Sequence, residues 1–169
     1  MRRPIITAAL AGWCSLLLTL PSLSQSSATV SFQIASYQNL SIWGERSDQR
    51  EILSLYRIPQ PTPQERAAGW IERPKALQLV ARSNLRWALR VRSLEPTMGL
   101  SDDGQSRKPV SDLYVRTPQY EVSVSVRDQT IAHGPAGEFL VPIDYRVRLG
   151  PDHRDGHYHV TLVYTLSTP

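Results

Sequence analysis

Three histidines, His153, His157 and His159, fall within seven residues beside Asp152 and Asp155. Imidazole nitrogens and carboxylate oxygens are donors that zinc or copper accepts. His157 and His159 share one face of any strand that carries them, so these three histidines are the candidate metal ligands. The competing reading is a solvated polar rim, since nothing nearby in sequence supplies the second layer of partners that orients a ligating imidazole. Asp102, Asp103 and Gly104 offer oxygen donors in a loop, but the further spaced carboxylates and distal glutamate of a calcium loop are missing. The chain contains no G-x-S-x-G, no H-E-x-x-H and no phosphate-cradling glycine loop. The expectation is a protein that is not an enzyme and takes no cofactor.

A second set of residues is suited to recognition. Arg86, Arg90 and Arg92 alternate with Trp87, Leu89 and Val91, and Arg146 and Arg148 alternate with Tyr145 and Val147. If the two strands were neighbours, their guanidinium groups would form a sheet face able to grip acidic polysaccharide or lipid headgroups bidentately. The alternative is solubilising charge on an exposed face. Trp43 and Trp70 lie near loops, where an indole either stacks on a sugar ring or caps the end of a core.

The elements that must position these groups are strands. Val141, Ile143, Tyr145, Val147 and Leu149 alternate with Pro142, Asp144, Arg146 and Arg148, a period of two that puts one face in a core and one in water. Tyr158, Val160, Leu162, Tyr164 and Leu166 repeat the pattern against His157, His159, Thr161, Val163 and Thr165. With Gly150 to Gly156 as the turn, the two segments read as an antiparallel hairpin. The same alternation runs through Val30, Phe32 and Ile34, through Leu77, Leu79 and Ala81, through Leu85 to Val91, and through Tyr120 to Val126, with a short strand at Leu113 and Val115. Leu40 to Ile42 and Ile52 to Ile58 are weaker candidates. The sum is a single all-β immunoglobulin-like or related antiparallel sandwich of about 8–9 strands. One helical turn is expected at Pro63 to Ala68, stopped by Gly69. Two long loops, Pro59 to Pro74 and Glu95 to Val110, are the expected partner surface.

The first 28 residues read as an export signal: Arg2 and Arg3, an apolar run from Ile5 to Leu20, then Pro21 and small residues. Sixteen residues fall short of the ~20 that span a bilayer, so cleavage near Thr29 is expected, leaving a domain over 29–169 with no membrane span. The product would be periplasmic, cell-surface or extracellular. Cys14, the only cysteine, would leave with the signal, which excludes disulfides and thiolate chemistry from the mature domain. Losing Arg2 and Arg3 lowers 19 basic residues to 17 against 15 acids, so the net charge falls from +4 to +2. That mild, interspersed charge argues against nucleic acid as a partner.

The terminal segment resembles the last strand of chaperone-usher pilins and related exported bacterial sandwiches: Gly156 followed by Tyr158, Val160, Leu162, Tyr164 and Leu166. Val30, Phe32 and Ile34 are placed similarly to a pilin donor strand. The resemblance covers a short part of the chain, and it departs from the family in lacking a cysteine pair and in having Thr168 as penultimate residue. It implies a fimbria-like structural or adhesive subunit that self-associates by β-strand addition. The alternative is a carbohydrate-binding or other ligand-binding module that uses its long loops with Trp43 or Trp70.

Overall fold

The computed structural model describes residues 35–45, 49–151 and 153–169. The expected signal, and Val30, Phe32 and Ile34, lie outside the described residues. The strands are β1 (Gln38–Ile42), β2 (Glu51–Arg57), β3 (Trp70–Ser83) and β4 (Trp87–Ser93), with period-two burial plainest in β2 and the second half of β4. They continue with β5 (Thr97–Leu100), β6 (Arg107–Pro109), β7 (Leu113–Arg116), β8 (Glu121–Ser123), β9 (Gln129–Gly134), β10 (Gly137–Arg148), whose burial alternates along its second half, and β11 (His159–Ser167). Nine of these strands form two antiparallel sheets, ordered β1-β3-β10-β7-β8 and β2-β11-β4-β9, while β5 and β6 make a separate two-stranded ribbon. The fold is an all-β sandwich.

The core lies between the sheets. Leu40, Ile71, Leu79, Leu113, Val115, Ile143 and Val147 from the first sheet meet Leu89, Val91, Ile131, Leu162 and Leu166 from the second, all buried. Each fully buried Leu or Ile contributes roughly 1.5–3 kcal/mol relative to leaving it in water. Two polar tips meet within this apolar layer: the hydroxyls of Tyr145 and Tyr164 share a hydrogen bond of 2.8 Å. The Tyr56 ring packs 4.3 Å from Tyr145, and burial pushes its hydroxyl up to about 12.

The expected β10–β11 hairpin is corrected. β10 pairs with β3 and β7, and β11 with β2 and β4, so the two strands sit in opposite sheets with their tyrosine faces opposed. Leu149–Tyr158 carries the chain across the end of the sandwich, since sheets packed about 10 Å apart need a longer connection than a hairpin turn. The arginine-rich face falls for the same reason. Arg86, Arg90 and Arg92 belong to the β4 side of one sheet, and Arg146 and Arg148 to the other.

Other boundaries also shift. β3 begins at Trp70, inside the segment read as a loop, and accommodates Pro74 beside a bulge where Lys75 takes φ 50° and donates its N–H to Asp144 Oδ1 at 2.7 Å. The strand expected over Tyr120 to Val126 is reduced to Glu121–Ser123, and Leu85 lies exposed ahead of β4. β5, β6 and β9 fall outside the strands that the sequence pattern predicts. The helix α1 (Pro63–Ala68) occurs where expected, with a reciprocal cap between Thr62 and Glu65 and with Gly69 at φ 76° as its stop. That cap, followed by the Arg73 guanidinium, holds the Glu65 carboxyl down at about 2.

Candidate functional site

Both long loops gather at one end of the sandwich, against the Leu149–Tyr158 connection. Asp102 donates its N–H to the Asp155 carbonyl at 2.9 Å, Gln60 Nε2 donates to the Gly156 carbonyl at 3.1 Å, and Arg66 of α1 is ion-paired to Asp155. Gly156 is required by proximity: a Cβ there would stand 2.9 Å from Ser101 Cα and 3.0 Å from the Leu100 carbonyl. Asp103 accepts from the Ser101 hydroxyl, the Gln105 N–H and Arg154, and these bonds hold its carboxyl at about 2.

Inside this end sits a buried ion cluster that the sequence did not announce. Lys108 is only 6% exposed and donates to the Arg148 carbonyl at 2.8 Å and to Asp112 Oδ2 at 3.3 Å. Arg148 donates Nε and Nη2 to Asp112 Oδ1 at 3.1 and 2.7 Å. Burial lowers the Lys108 ammonium, opposed by the Asp112 charge. Asp112 in turn raises Arg148. A cleft of about 160 Å³ opens beside the cluster, lined by Ser106, Arg107, Lys108, His153, Arg154 and Tyr158 among others.

The three candidate metal ligands do not converge. His153 packs against Tyr158, its ring 5.9 Å away, and faces the Lys108 cleft. His157 and His159 line a different, open depression with Leu55, Arg57 and Ile58. Among the described residues, no group of three or more His, Cys, Asp or Glu side chains is placed to hold a metal ion. Burial, followed by the Lys108 charge, pushes the His153 imidazole down.

The recognition candidates are likewise dispersed. Trp70 is half-buried, with the Arg146 guanidinium stacked 3.8 Å over its ring and Tyr114 at its edge, 5.6 Å between centroids. Arg146 is also ion-paired to Glu72 at 2.9 Å, so this tryptophan already serves a protein cation. Trp43 is exposed in the turn after β1. Arg92 pairs with Asp128 at 3.5 Å, Arg90 is half-buried, and Arg86 is exposed.

The assembly candidates Tyr158, Val160, Leu162, Tyr164 and Leu166 are all buried, and β11 has ladder partners on both sides. Strand addition therefore cannot take place on β11 itself. It would have to occur at a sheet edge, and the edges differ. β9 is closed by side chains: Gln119 donates Nε2 to the His133 carbonyl at 3.0 Å and accepts the His133 N–H at 2.9 Å, and the Thr117 hydroxyl donates to the Ile131 carbonyl at 2.5 Å. On β8, Gln129 Nε2 covers the Ser123 carbonyl at 2.8 Å. β1 is bridged at Leu40 by Gln49.

Among the described residues, nothing covers β2 over Glu51–Arg57 in this way. The bonds from Ile58 N–H to the Tyr158 carbonyl and from Leu166 N–H to the Arg50 carbonyl show that its even-numbered residues face β11. By alternation, the N–H and C=O groups of Glu51, Leu53, Leu55 and Arg57 point to the open side. No partner for them occurs among the described residues. Their side chains lie on the outer face, where Leu53 is 62% and Leu55 56% exposed. The signal for this edge was present in the sequence: Ile52, Leu53, Leu55 and Tyr56 are apolar on both faces of one short strand. No family model, curated protein or solved structure matches the chain.

Proposed function

We propose that this is an exported, non-enzymatic structural or adhesive protein that assembles by β-strand addition, with the open edge of β2 as acceptor and residues 29–35 of a second copy as donor. The observation that carries the reading is the contrast between β2, where the outward backbone groups of Glu51, Leu53, Leu55 and Arg57 meet no partner among the described residues, and the side-chain cover of β9 at the other edge of the same sheet. Unpaired edges with exposed leucines are templates for another chain. The donor is a matching length, and its Val30, Phe32 and Ile34 alternate as a strand does. The resemblance of the last strand to those of pilins points the same way.

Sedimentation of the processed protein tests this. Assemblies that dissolve to folded monomers on deletion of Thr29 to Ala35, or on Leu53→Lys with Leu55→Lys, support strand addition at β2. A processed protein that stays monomeric, or assembles equally well in both variants, overturns it.

A further inference from the structure

Among the described residues, the cleft beside Lys108 is lined by more cationic than acidic side chains. Arg107, Lys108 and Arg154 line it, with Asp112 the one carboxylate on its wall among the described residues; Arg148 and Asp103 stand behind, paired to Asp112 and Arg154. Both carboxylates are engaged by protein donors on each oxygen. Asp112 gives one oxygen to Lys108 and the other to Arg148, and Asp103 is held by Ser101, Gln105 and Arg154.

Three donors remain. An ammonium has three N–H bonds, and Lys108 uses two on protein oxygens. The Arg107 guanidinium is exposed and has no side-chain partner among the described residues. His153 Nε2 is buried without a hydrogen-bond partner, a costly condition for a polar atom unless something fills the space beside it. The charged groups that reach His153 are Lys108 and Arg66 on one side of the balance and Asp112 and Asp155 on the other.

We propose that this cleft binds a single oxyanion group, sulfate or phosphate, gripped by Arg107, the free N–H of Lys108 and His153 Nε2. The volume of about 160 Å³ is several times the ~30 Å³ of a water and well below the ~300–1,000 Å³ of sites for drug-sized ligands. An ion fits and an extended apolar molecule does not. A metal cation is disfavoured by the ammonium and guanidinium groups that face the space. The partly desolvated position of Lys108 strengthens its attraction for an anion relative to a surface lysine. Neither Leu53 nor Leu55 lines this cleft, so the site stands or falls independently of strand addition. The same chemistry is presented by a free inorganic anion and by a sulfated or phosphorylated polysaccharide.

The full chain is titrated with sodium sulfate and with sodium phosphate against sodium chloride at matched ionic strength, following the His153 ring resonances by NMR. The expected result is a saturable shift with sulfate or phosphate and not with chloride. Arg107→Ala, at an exposed position that leaves the fold intact, weakens the binding about tenfold, as expected for loss of one charge-assisted contact. A bound anion also raises the pH at which His153 titrates, since a nearby negative charge favours the imidazolium. A response shared with chloride, or affinity unchanged in both Arg107→Ala and His153→Leu, overturns the proposal. A sulfated disaccharide that binds more tightly than inorganic sulfate assigns the site to a polymer, and equal binding assigns it to the free ion.

Discussion

Two edges of one sheet are treated in opposite ways. Along β9, the Thr117–Tyr120 turn lies against the strand, and Gln119 and Thr117 satisfy the outward groups of His133 and Ile131. Along β2, the corresponding outward groups meet no partner among the described residues, and the side chains beside them are leucines. A fold that uses two side chains to close one edge can clearly close edges. The open one is the acceptor that the proposed strand addition requires, since an uncovered edge is a template for another strand.

Proline separates the two sides of β2 and has the largest expected effect. Ser54 faces β11, opposite Leu162, so Ser54→Pro removes a ladder hydrogen bond and costs on the order of 3 kcal/mol in urea unfolding. Leu53→Pro removes an N–H that points to the open side. It leaves folding within about 0.5–1 kcal/mol of the parent and blocks assembly in sedimentation. If Leu53→Pro destabilises as much as Ser54→Pro, the outward N–H of Leu53 is already paired and the edge is not open.

The closed edge is next. The Thr117 hydroxyl donates to the Ile131 carbonyl and accepts from the N–H groups of Gln119 and Tyr120 at 3.2 and 3.1 Å. Thr117→Val keeps the shape and strands these groups, for an expected loss of about 1–3 kcal/mol. Gln119→Ala is milder, about 1 kcal/mol, because water can reach His133 in its place. Its more telling consequence is a second open edge: this variant should self-associate more readily than the parent. An unchanged sedimentation coefficient at rising concentration would show that uncovered backbone alone does not recruit a strand, and that the leucines on β2 decide.

Much of this contrast lay beyond the reach of a one-dimensional reading, for identifiable reasons. Alternation gives the inward face of a strand directly, which is why the buried residues of β10 and β11 were legible and why α1, with Pro63 at its start and Gly69 after its end, was found. Alternation carries no information about which strands pair. β10 and β11 looked like a hairpin because they are consecutive, yet ten residues of connection and two tyrosines that meet across the core place them in opposite sheets. Lys108 reads in sequence as one of two adjacent loop cations, with Arg107, since its burial depends on Asp112 and on the distant Arg148 carbonyl. Thr117 and Gln119 acquire a role only once β9 is beside them, and β9 itself has too few apolar residues to announce a strand. The histidines shared a neighbourhood in sequence but were divided by the turn of the chain between His153 and His157.

Acid gives the smallest effect and separates the loop end from the edges. The carboxyls of Glu65 and Asp103 titrate at about 2 in the folded chain, against 4.5 and 3.8 without their partners. Folded values below the unfolded ones mean that their stabilisation is present above pH 4–5 and is lost as pH falls from there toward 2. The Thr62–Glu65 cap of α1 and the Asp103–Arg154 tie should loosen in that window. The amide and hydroxyl groups that close β9 are neutral and do not titrate there. Amide exchange, expressed as protection, should therefore fall at Gly69, whose N–H bonds to the Arg66 carbonyl, before it falls at His133, whose N–H bonds to Gln119. Simultaneous loss at both would mean that acid unfolds the sandwich as one unit, so that the loop end is as firmly tied as the closed edge.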